Sequence, residues 1–378
     1  MRVTFDARHL QTASRVRGIG RYSRNLLAAF ARLAPADVQW TLLRLRNFPL
    51  ADDSPLPRHR DLWSLRLPRP EISMLMLDTV LLSLELPFAR GQIYHSVQLG
   101  LPALRRTRAV VTIHDLAPIR WPGHYLRLPH ARIGHAWQYR LAQHADHVIA
   151  VSQATGRDVI ERLLIPPDRV TVIPEAVDAS FAPPPRDVAL ERVRERFSIG
   201  APYVLYVGQF DPRKNMDGLV SAFGRAAEKH GDLRLVIAGD LGKLASFLYD
   251  ALDRGRAPRD RVVLTGHVTD AELAALYAGA ECLLHAALLE GFGLTPLESL
   301  AAGTPVVGYR AGAVEEVVGD AGLLVEPSRP DALGDALLEY LADDALRTRL
   351  RAAAPARAAL FSWDAAAEST LALYRRLA

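Results

Sequence analysis

Short apolar runs alternate with amphipathic stretches along the whole chain, and this alternation predicts strand–helix–strand units built into parallel sheets. In the first half the predicted strands are Val3–Ala7, Trp40–Leu45, Gln92–Val97, Val110–His114, His147–Val151 and Val170–Ile173. Leu26, Leu27, Phe30 and Leu33 share one face of a helix predicted from about Gly20 to Leu33. Ser152, a good N-cap, opens another that runs through Leu164 until Pro166 stops it. Near Phe181 the rhythm breaks. Pro183-Pro184-Pro185, a charged stretch from Arg186 to Arg196 and then Gly200-Ala201-Pro202 read as a linker and a connecting helix. The rhythm restarts with Tyr203–Val207, Leu233–Ala238, Val262–Thr265, Cys282–His285 and Pro305–Gly308, runs apolar enough for strands buried on both faces.

The chain's 378 residues suit two domains, and the break near Phe181 divides it into 1–180 and the part that follows. A hydrophobic share of 49% and a charged share of 23% supply two ordinary cores. The net charge of +4 is mild and scattered, and no basic stripe interleaves with aromatics, which argues against nucleic acid as a partner. Attraction toward anionic substrates or an anionic membrane surface fits better. Cys282 is the sole cysteine, so no intrachain disulfide can form, and its neighbours read as buried strand. Met1-Arg2-Val3-Thr4-Phe5-Asp6 lacks the regions of a signal peptide. The stretch from Ile72 to Phe88 is broken by Asp78, Glu85 and Pro87 and is too short for a bilayer core of about 30 Å. A cytoplasmic location is the expectation.

Ligands of such sheets bind outside the carboxyl ends of the strands, so residues just after each strand are the first candidates for chemistry. Glu290-Gly291-Phe292-Gly293-Leu294-Thr295-Pro296-Leu297-Glu298 follows a predicted strand and opens a helix that Gly303-Thr304-Pro305 closes. Glycines beside a helix N-terminus expose backbone N–H groups, and the helix dipole favours an anion there. Glu290 falls in the loop and Glu298 about one turn into the helix. One carboxylate suits sugar hydroxyls and the other a ribose diol. A tight junction with a capping glutamate would explain the glycines alone. Gly208-Gln209-Phe210-Asp211-Pro212-Arg213-Lys214-Asn215 sets two cations at a predicted helix start, which the dipole disfavours unless an anion offsets them. A diphosphate is such an anion, each charge-assisted hydrogen bond contributing about 1.5–3 kcal/mol. Solvated surface cations are the plainer alternative. Arg17-Gly18-Ile19-Gly20-Arg21-Tyr22 allows a phosphate to approach but lacks the third glycine of a dinucleotide fingerprint, and a flexible loop explains it equally well. His114 and Asp115 end the strand Val110–His114 on the ligand side, where structural and functional readings of the histidine are about balanced. His95 and His285 also end strands and carry less weight. HExxH, DxD and Ser-His-Asp patterns are absent, so nothing in the sequence calls for a bound metal.

Taken in order, Gly18-Ile19-Gly20-Arg21-Tyr22, Ile113-His114-Asp115-Leu116, Val151-Ser152, Val172-Ile173-Pro174, Asp211-Pro212-Arg213-Lys214-Asn215 and Glu290-Gly291-Phe292-Gly293 with Glu298 make a familiar set. The chain resembles the retaining GT-B glycosyltransferases of glycosyltransferase family four, many of them bacterial mannosyl- or glucosyltransferases. The resemblance covers nearly the whole chain. It implies an α/β GT-B fold: two Rossmann-like, doubly wound parallel-sheet domains facing a cleft. In that plan 1–180 is the acceptor side and 181–360 binds the nucleotide sugar, while 361–378, containing Phe361-Ser362-Trp363-Asp364, crosses back as a helix onto the first domain. Gly18 and Gly20 would lie against the donor diphosphate, and Arg213 and Lys214 would neutralise it as the nucleotide leaves. Amides near Gly291, Phe292, Gly293, Leu294 and Thr295 would hold sugar and phosphates. Glu290 would contact sugar hydroxyls, Glu298 the ribose, and His114 the sugar from the other domain. His114, Glu290 and Lys214 are thus the catalytic candidates. Gln209 stands where many relatives carry an arginine or small polar residue, and Gly266-His267-Val268 fits the edge that contacts the base.

The activity implied is metal-independent transfer of a hexose, mannose first, to a glycan or lipid-linked acceptor. It needs no cofactor beyond the donor, GDP-mannose or another nucleoside-diphosphate sugar. Acceptor choice would fall to the Arg46–Arg69 and Arg120–Arg140 segments, the latter with Trp121, Tyr125, Trp137 and Tyr139, and peripheral contact with the inner membrane face is a further expectation. Two alternatives share the donor: a GT-B sugar-nucleotide epimerase, which needs no acceptor, and a non-catalytic nucleotide-sugar-binding protein.

Overall fold

The computed structural model describes residues 1–16, 18–46, 48, 50, 55–64, 74–178, 181–200, 202–209, 211–239, 245–329 and 331–378. The chain divides into two compact units, Met1–Glu175 with Ser362–Ala378, and Ala176–Phe361. In the first, strands β1 (Arg2–Asp6), β2 (Gln39–Leu45), β3 (His59–Ser64), β4 (Ile93–Ser96), β5 (Arg108–Ile113), β6 (His147–Ala150) and β7 (Val170–Val172) form one parallel sheet in the order β3-β2-β1-β4-β5-β6-β7. Its helices are α1 (Gly18–Leu33), α2 (Met74–Ala89), α3 (Ala117–Arg120), α4 (Pro122–Tyr125), α5 (Pro129–Gln143) and α6 (Gln153–Leu163). Ser152 caps α6 by accepting from Thr155 N at 3.0 Å, and Leu164 ends it in the left-handed conformation. β3 was absent from the sequence reading because His59-Arg60-Asp61 carry no apolar run; the strand lies at the sheet edge, largely exposed.

The second unit opens with α7 (Arg186–Phe197), then β8 (Tyr203–Val207), α8 (Met216–Lys229), β9 (Arg234–Ala238), α9 (Ala245–Arg254), β10 (Val262–Gly266), α10 (Asp270–Gly279), β11 (Cys282–His285), α11 (Leu294–Ala301), β12 (Val306–Tyr309), α12 (Val314–Val318), β13 (Gly322–Val325), α13 (Ala332–Ala342) and α14 (Asp344–Ala358). Its parallel sheet runs β10-β9-β8-β11-β12-β13. In both sheets the chain starts in the middle, winds to one edge, returns and winds to the other, so strand order reverses beside the first strand. The strands are apolar and buried on both faces, as at β8 and β11, and the core of the second unit includes Leu205, Leu235, Ile237, Leu284 and Val307. β13, also absent from the sequence reading, is a half-buried edge strand.

The last helix, α15 (Trp363–Leu377), belongs to the first unit although it ends the chain. Ser362 caps it. Its apolar face packs against α1, with Trp363 at 5.6 Å from the ring of Tyr22 and Tyr374 at 6.3 Å from that of Phe30. Ion pairs Arg32–Asp364 and Arg375–Asp37 flank the seam, both exposed enough to add little. Among the described residues no helix is long and apolar enough to cross a membrane.

Tyr374 is fully buried at the centre of this seam, where its hydroxyl meets His95 Nδ1 at 2.5 Å. Tyr374→Ala is expected to cost about 3–5 kcal/mol, the range for deleting a buried aromatic. Urea unfolding followed by circular dichroism checks it; a shift below about 1 kcal/mol would mean that α15 does not support the first unit.

Candidate functional site

In the second unit the unusual residues gather where the strand order reverses, at the carboxyl ends of β8 and β11. The loop after β8 turns through Pro212–Lys214, a single 3-10 turn capped by Asp211, whose Oδ1 accepts from Arg213 N at 3.0 Å. Asn215 then adopts the left-handed conformation and caps α8. Arg213 and Lys214 therefore lie in a separate turn before the helix, not in its first turn as the sequence suggested, because the left-handed residue breaks the two apart. The loop after β11 is tied to this turn by Leu288 N donating to Arg213 O at 2.7 Å.

That tie brings two charges together. The Lys214 ammonium donates to Oε1 of Glu290, and both side chains are nearly buried, 14% and 8% exposed. His285 Nε2 sits 3.3 Å from the same oxygen, an ion-pair distance without hydrogen-bond alignment. Burial by itself would raise the Glu290 carboxyl. The Lys214 ammonium outweighs it, with His285 and Arg213 adding, and holds the group far below the usual carboxylate range. Arg213 Nε lies 3.5 Å from Asp211 Oδ1. Each of the two cations thus faces a carboxylate already.

A residue that the sequence reading missed braces Glu290 from behind. Gly312 follows β12 with φ +62°, and a Cβ there would meet the Glu290 carbonyl oxygen at 2.3 Å. Only glycine fits both the conformation and the space. Ala313 N then donates to that carbonyl at 3.1 Å. The clue in the sequence was Ala311-Gly312-Ala313 just after a strand, small residues where backbone meets backbone.

The rest of the glutamate–glycine loop lies alongside. Gly291 and Phe292 are buried, Phe292 edge-on to Phe361 at 5.7 Å, and Gly293 caps α11. Leu294 and Thr295 form the first turn, where Thr295 Oγ1 is enclosed without a hydrogen-bond partner. Glu298, one turn in, is 1% exposed and accepts from the Tyr277 hydroxyl at 2.9 Å. Gln209 is exposed, as is His267 after β10, with Val268 half-buried beside it. Among the described residues no three His, Cys, Asp or Glu side chains gather as a metal site.

The first unit places His114 just past β5. Its Nε2 meets the carbonyl of Val97 at 3.1 Å and its Nδ1 the carboxylate of Glu175 at 2.9 Å, with Tyr22 edge-on at 4.9 Å. Both ring nitrogens are thus occupied, and to contact another group the ring must exchange one of these partners. Gly18 begins α1 with open space around it, whereas a Cβ on Gly20 would meet Ser14 O at 2.3 Å, so Gly20 is required by its own chain. Under these residues lies a buried polar floor. Arg8 donates to both oxygens of Asp6 at 2.9 and 2.8 Å and reaches Asp78 at 2.5 Å. Burial raises the Asp6 carboxyl, but the Arg8 guanidinium beside it prevails and lowers it to about 2. His95, pinned between Tyr374 and Thr112, is pushed down to about 3 by burial and is a neutral core residue. Trp121, Tyr125, Trp137 and Tyr139 are all half-buried, and Trp137 donates to Thr79 Oγ1 at 3.2 Å. Residues 47, 49, 51–54 and 65–69 of the other expected acceptor segment lie outside the described residues.

The chain also matches known proteins. The sequence pattern described as Glycosyl transferases group 1 matches residues 189–357, and that of Glycosyltransferase Family 4 matches 16–181. The chain is 30% identical over 291 residues to O-antigen chain mannosyltransferase B of Escherichia coli, covering 76% of this chain and 75% of that protein. Among solved structures it resembles a sucrose-phosphate synthase from Thermosynechococcus elongatus (TM-score 0.79, 22% identity, 100% and 99% of the two chains). It also resembles Anabaena HepE, solved with UDP and glucose (TM-score 0.75, 17% identity, 99% of each). These likenesses show the GT-B fold.

The pairing in the second unit has a pH signature. A depressed carboxylate contributes stability that is complete above its unfolded pKa, about 4.3, and is lost as pH falls toward its folded value. Glu290→Gln, which leaves Lys214 buried without its counter-charge, is expected to cost about 3–5 kcal/mol at pH 7. The gap to the unaltered chain should narrow below about pH 4. Equal melting temperatures at pH 7 would show that the pair does not form.

Proposed function

The chain belongs to the group 1 glycosyl transferases, and from that premise we propose that it moves a hexose, mannose before others, from a nucleoside-diphosphate sugar to a glycan or lipid-linked acceptor, with retention and without a metal ion. The observation that carries this reading is the Lys214–Glu290 pair at the carboxyl ends of β8 and β11, with Arg213 and the start of α11 beside it. The donor diphosphate draws Lys214 and Arg213 onto its oxygens, and their charge counts most as the phosphate leaves and negative charge develops on it. Glu290, partly released from Lys214, accepts hydrogen bonds from the sugar hydroxyls. Glu298 takes the ribose hydroxyls while Tyr277 holds its carboxylate in one orientation. Exposed His267 and neighbouring Val268 are assigned to the base, and His114 is the contributor proposed from the first unit.

In the reaction the bond from the anomeric carbon to the phosphate oxygen breaks as the acceptor oxygen bonds that carbon on the same face. The acceptor's proton passes to the departing phosphate. Mannose is favoured because the E. coli relative is a mannosyltransferase; HepE, solved with UDP and glucose, keeps uridine donors as the comparison case. The reading puts the reaction in the cytoplasm, with contact at the inner membrane face where a lipid-linked acceptor would be met.

Lys214→Ala should lower kcat by about 10²–10³-fold, the usual loss on removing one transition-state charge contact. Initial-rate kinetics on folded protein test it, and near-normal turnover would sink the assignment. EDTA is expected to leave the rate unchanged; a rate restored only by added magnesium would show instead that a metal neutralises the diphosphate. Thermal-shift screening against GDP, UDP, ADP and their sugar conjugates should single out one nucleotide series, with the shift lost in Lys214→Ala.

A further inference from the structure

The opposite end of the first sheet holds a second set of cations that this activity does not use. A cavity of about 1170 Å³ opens at the amino ends of β1, β2 and β3 and is lined by Arg2, Arg58, Arg60 and Arg90. It is thus at the far edge of the sheet from His114, which follows the carboxyl end of β5. The described residues lining it include no aspartate or glutamate. Among the described residues, Asp61 pairs with Arg44 and Asp37 with Arg375. None of the four guanidiniums has an ion pair among the described residues. Four cations around one concavity, without an ion pair among the described residues, repel one another, and guanidinium forks match the oxygens of a phosphate.

The conformation of Arg90 and the character of the lining describe the cavity further. Arg90 follows α2 with φ +51°, the left-handed position after a helix where glycine is the ordinary occupant. Leu164 and Ser198 take the same position after other helices of this chain; at Arg90 the side chain lines the cavity. The lining is more polar than apolar, the four guanidiniums standing exposed around a wall in which Trp40 is buried and Leu56 half-buried. The volume slightly exceeds the common range for small-molecule sites, roughly 300–1,000 Å³.

We propose that this cavity is a second anion site, one that binds a phosphate-bearing ligand with at least two negative charges. The ligand is either a free phosphorylated compound or the headgroup of an anionic lipid. The site shares no residue with the proposed donor site, so each can fail alone.

Isothermal titration of the full chain with sodium pyrophosphate at low salt tests it. The expected result is two classes of site. Arg58→Ala/Arg60→Ala should weaken one of them by roughly tenfold or more and spare the other, which Lys214→Ala should remove. Unchanged stoichiometry and affinity in the double variant would overturn the proposal, whatever Lys214→Ala does. If the double variant does not fold by circular dichroism, Arg90→Gly, which relieves the strained position, serves in its place with the same expectation. Flotation with phosphatidylglycerol vesicles, against phosphatidylcholine vesicles, separates the sources. Capture on the anionic vesicles that the variant loses identifies a headgroup, and pyrophosphate binding without capture identifies a soluble ligand. Neither signal responding to these arginines refutes the site.

Discussion

The buried contact between the Lys214 ammonium and the Glu290 carboxylate is the constraint around which the second unit is arranged. Two charges this far from water are tolerated only when they meet, and breaking such a pair exposes each to an uncompensated desolvation cost. To make them meet, the loops after β8 and β11 must run side by side, and only the reversal of strand order makes those strands neighbours. The remaining details serve the same end. Asn215 in the left-handed conformation separates the cationic turn from α8, Leu288 ties the two loops, and Gly312 lets the chain after β12 press against the Glu290 backbone.

A pair of this kind also suits a transferase. Its carboxylate is held ionised and its ammonium is already placed, so a donor diphosphate bound there as proposed would meet oriented charge with little reorganisation. The first unit spends its buried polar groups differently. Arg8 bridges the carboxylates of Asp6 and Asp78 at the carboxyl end of β1, and His95 is locked neutral between Tyr374 and Thr112. His114 is held separately, at both ring nitrogens, by the Glu175 carboxylate and the Val97 carbonyl.

Much of the fold was legible because its signals are local. β8 and β11 were read to the residue from continuous apolar runs, Ser152 from its residue type, and α7 from the charged stretch after three prolines. β3 was not, since an edge strand with one face in water needs no apolar run, and β13 is apolar at Leu323-Leu324-Val325 but only four residues long. The site was legible in its residue types: Lys214, Arg213 and Glu290 stood out as charges placed just after strands. Their relation was not, since 76 positions separate Lys214 from Glu290. His285 was rated a weak candidate and sits beside Glu290; Gly312 was not singled out at all.

The sequence by itself thus determined the alternation of elements, the parallel sheets and the positions of the charged and glycine-rich loops, because periodicity, capping and turn chemistry act over a few residues. Tertiary structure alone decided which loops became neighbours and which charge answers which. It left Lys214 paired, His114 occupied at both nitrogens and four arginines around one cavity without a counter-charge among the described residues. The reason is physical: the energy of a charge depends on its distance to other charges and to water, and folding sets both.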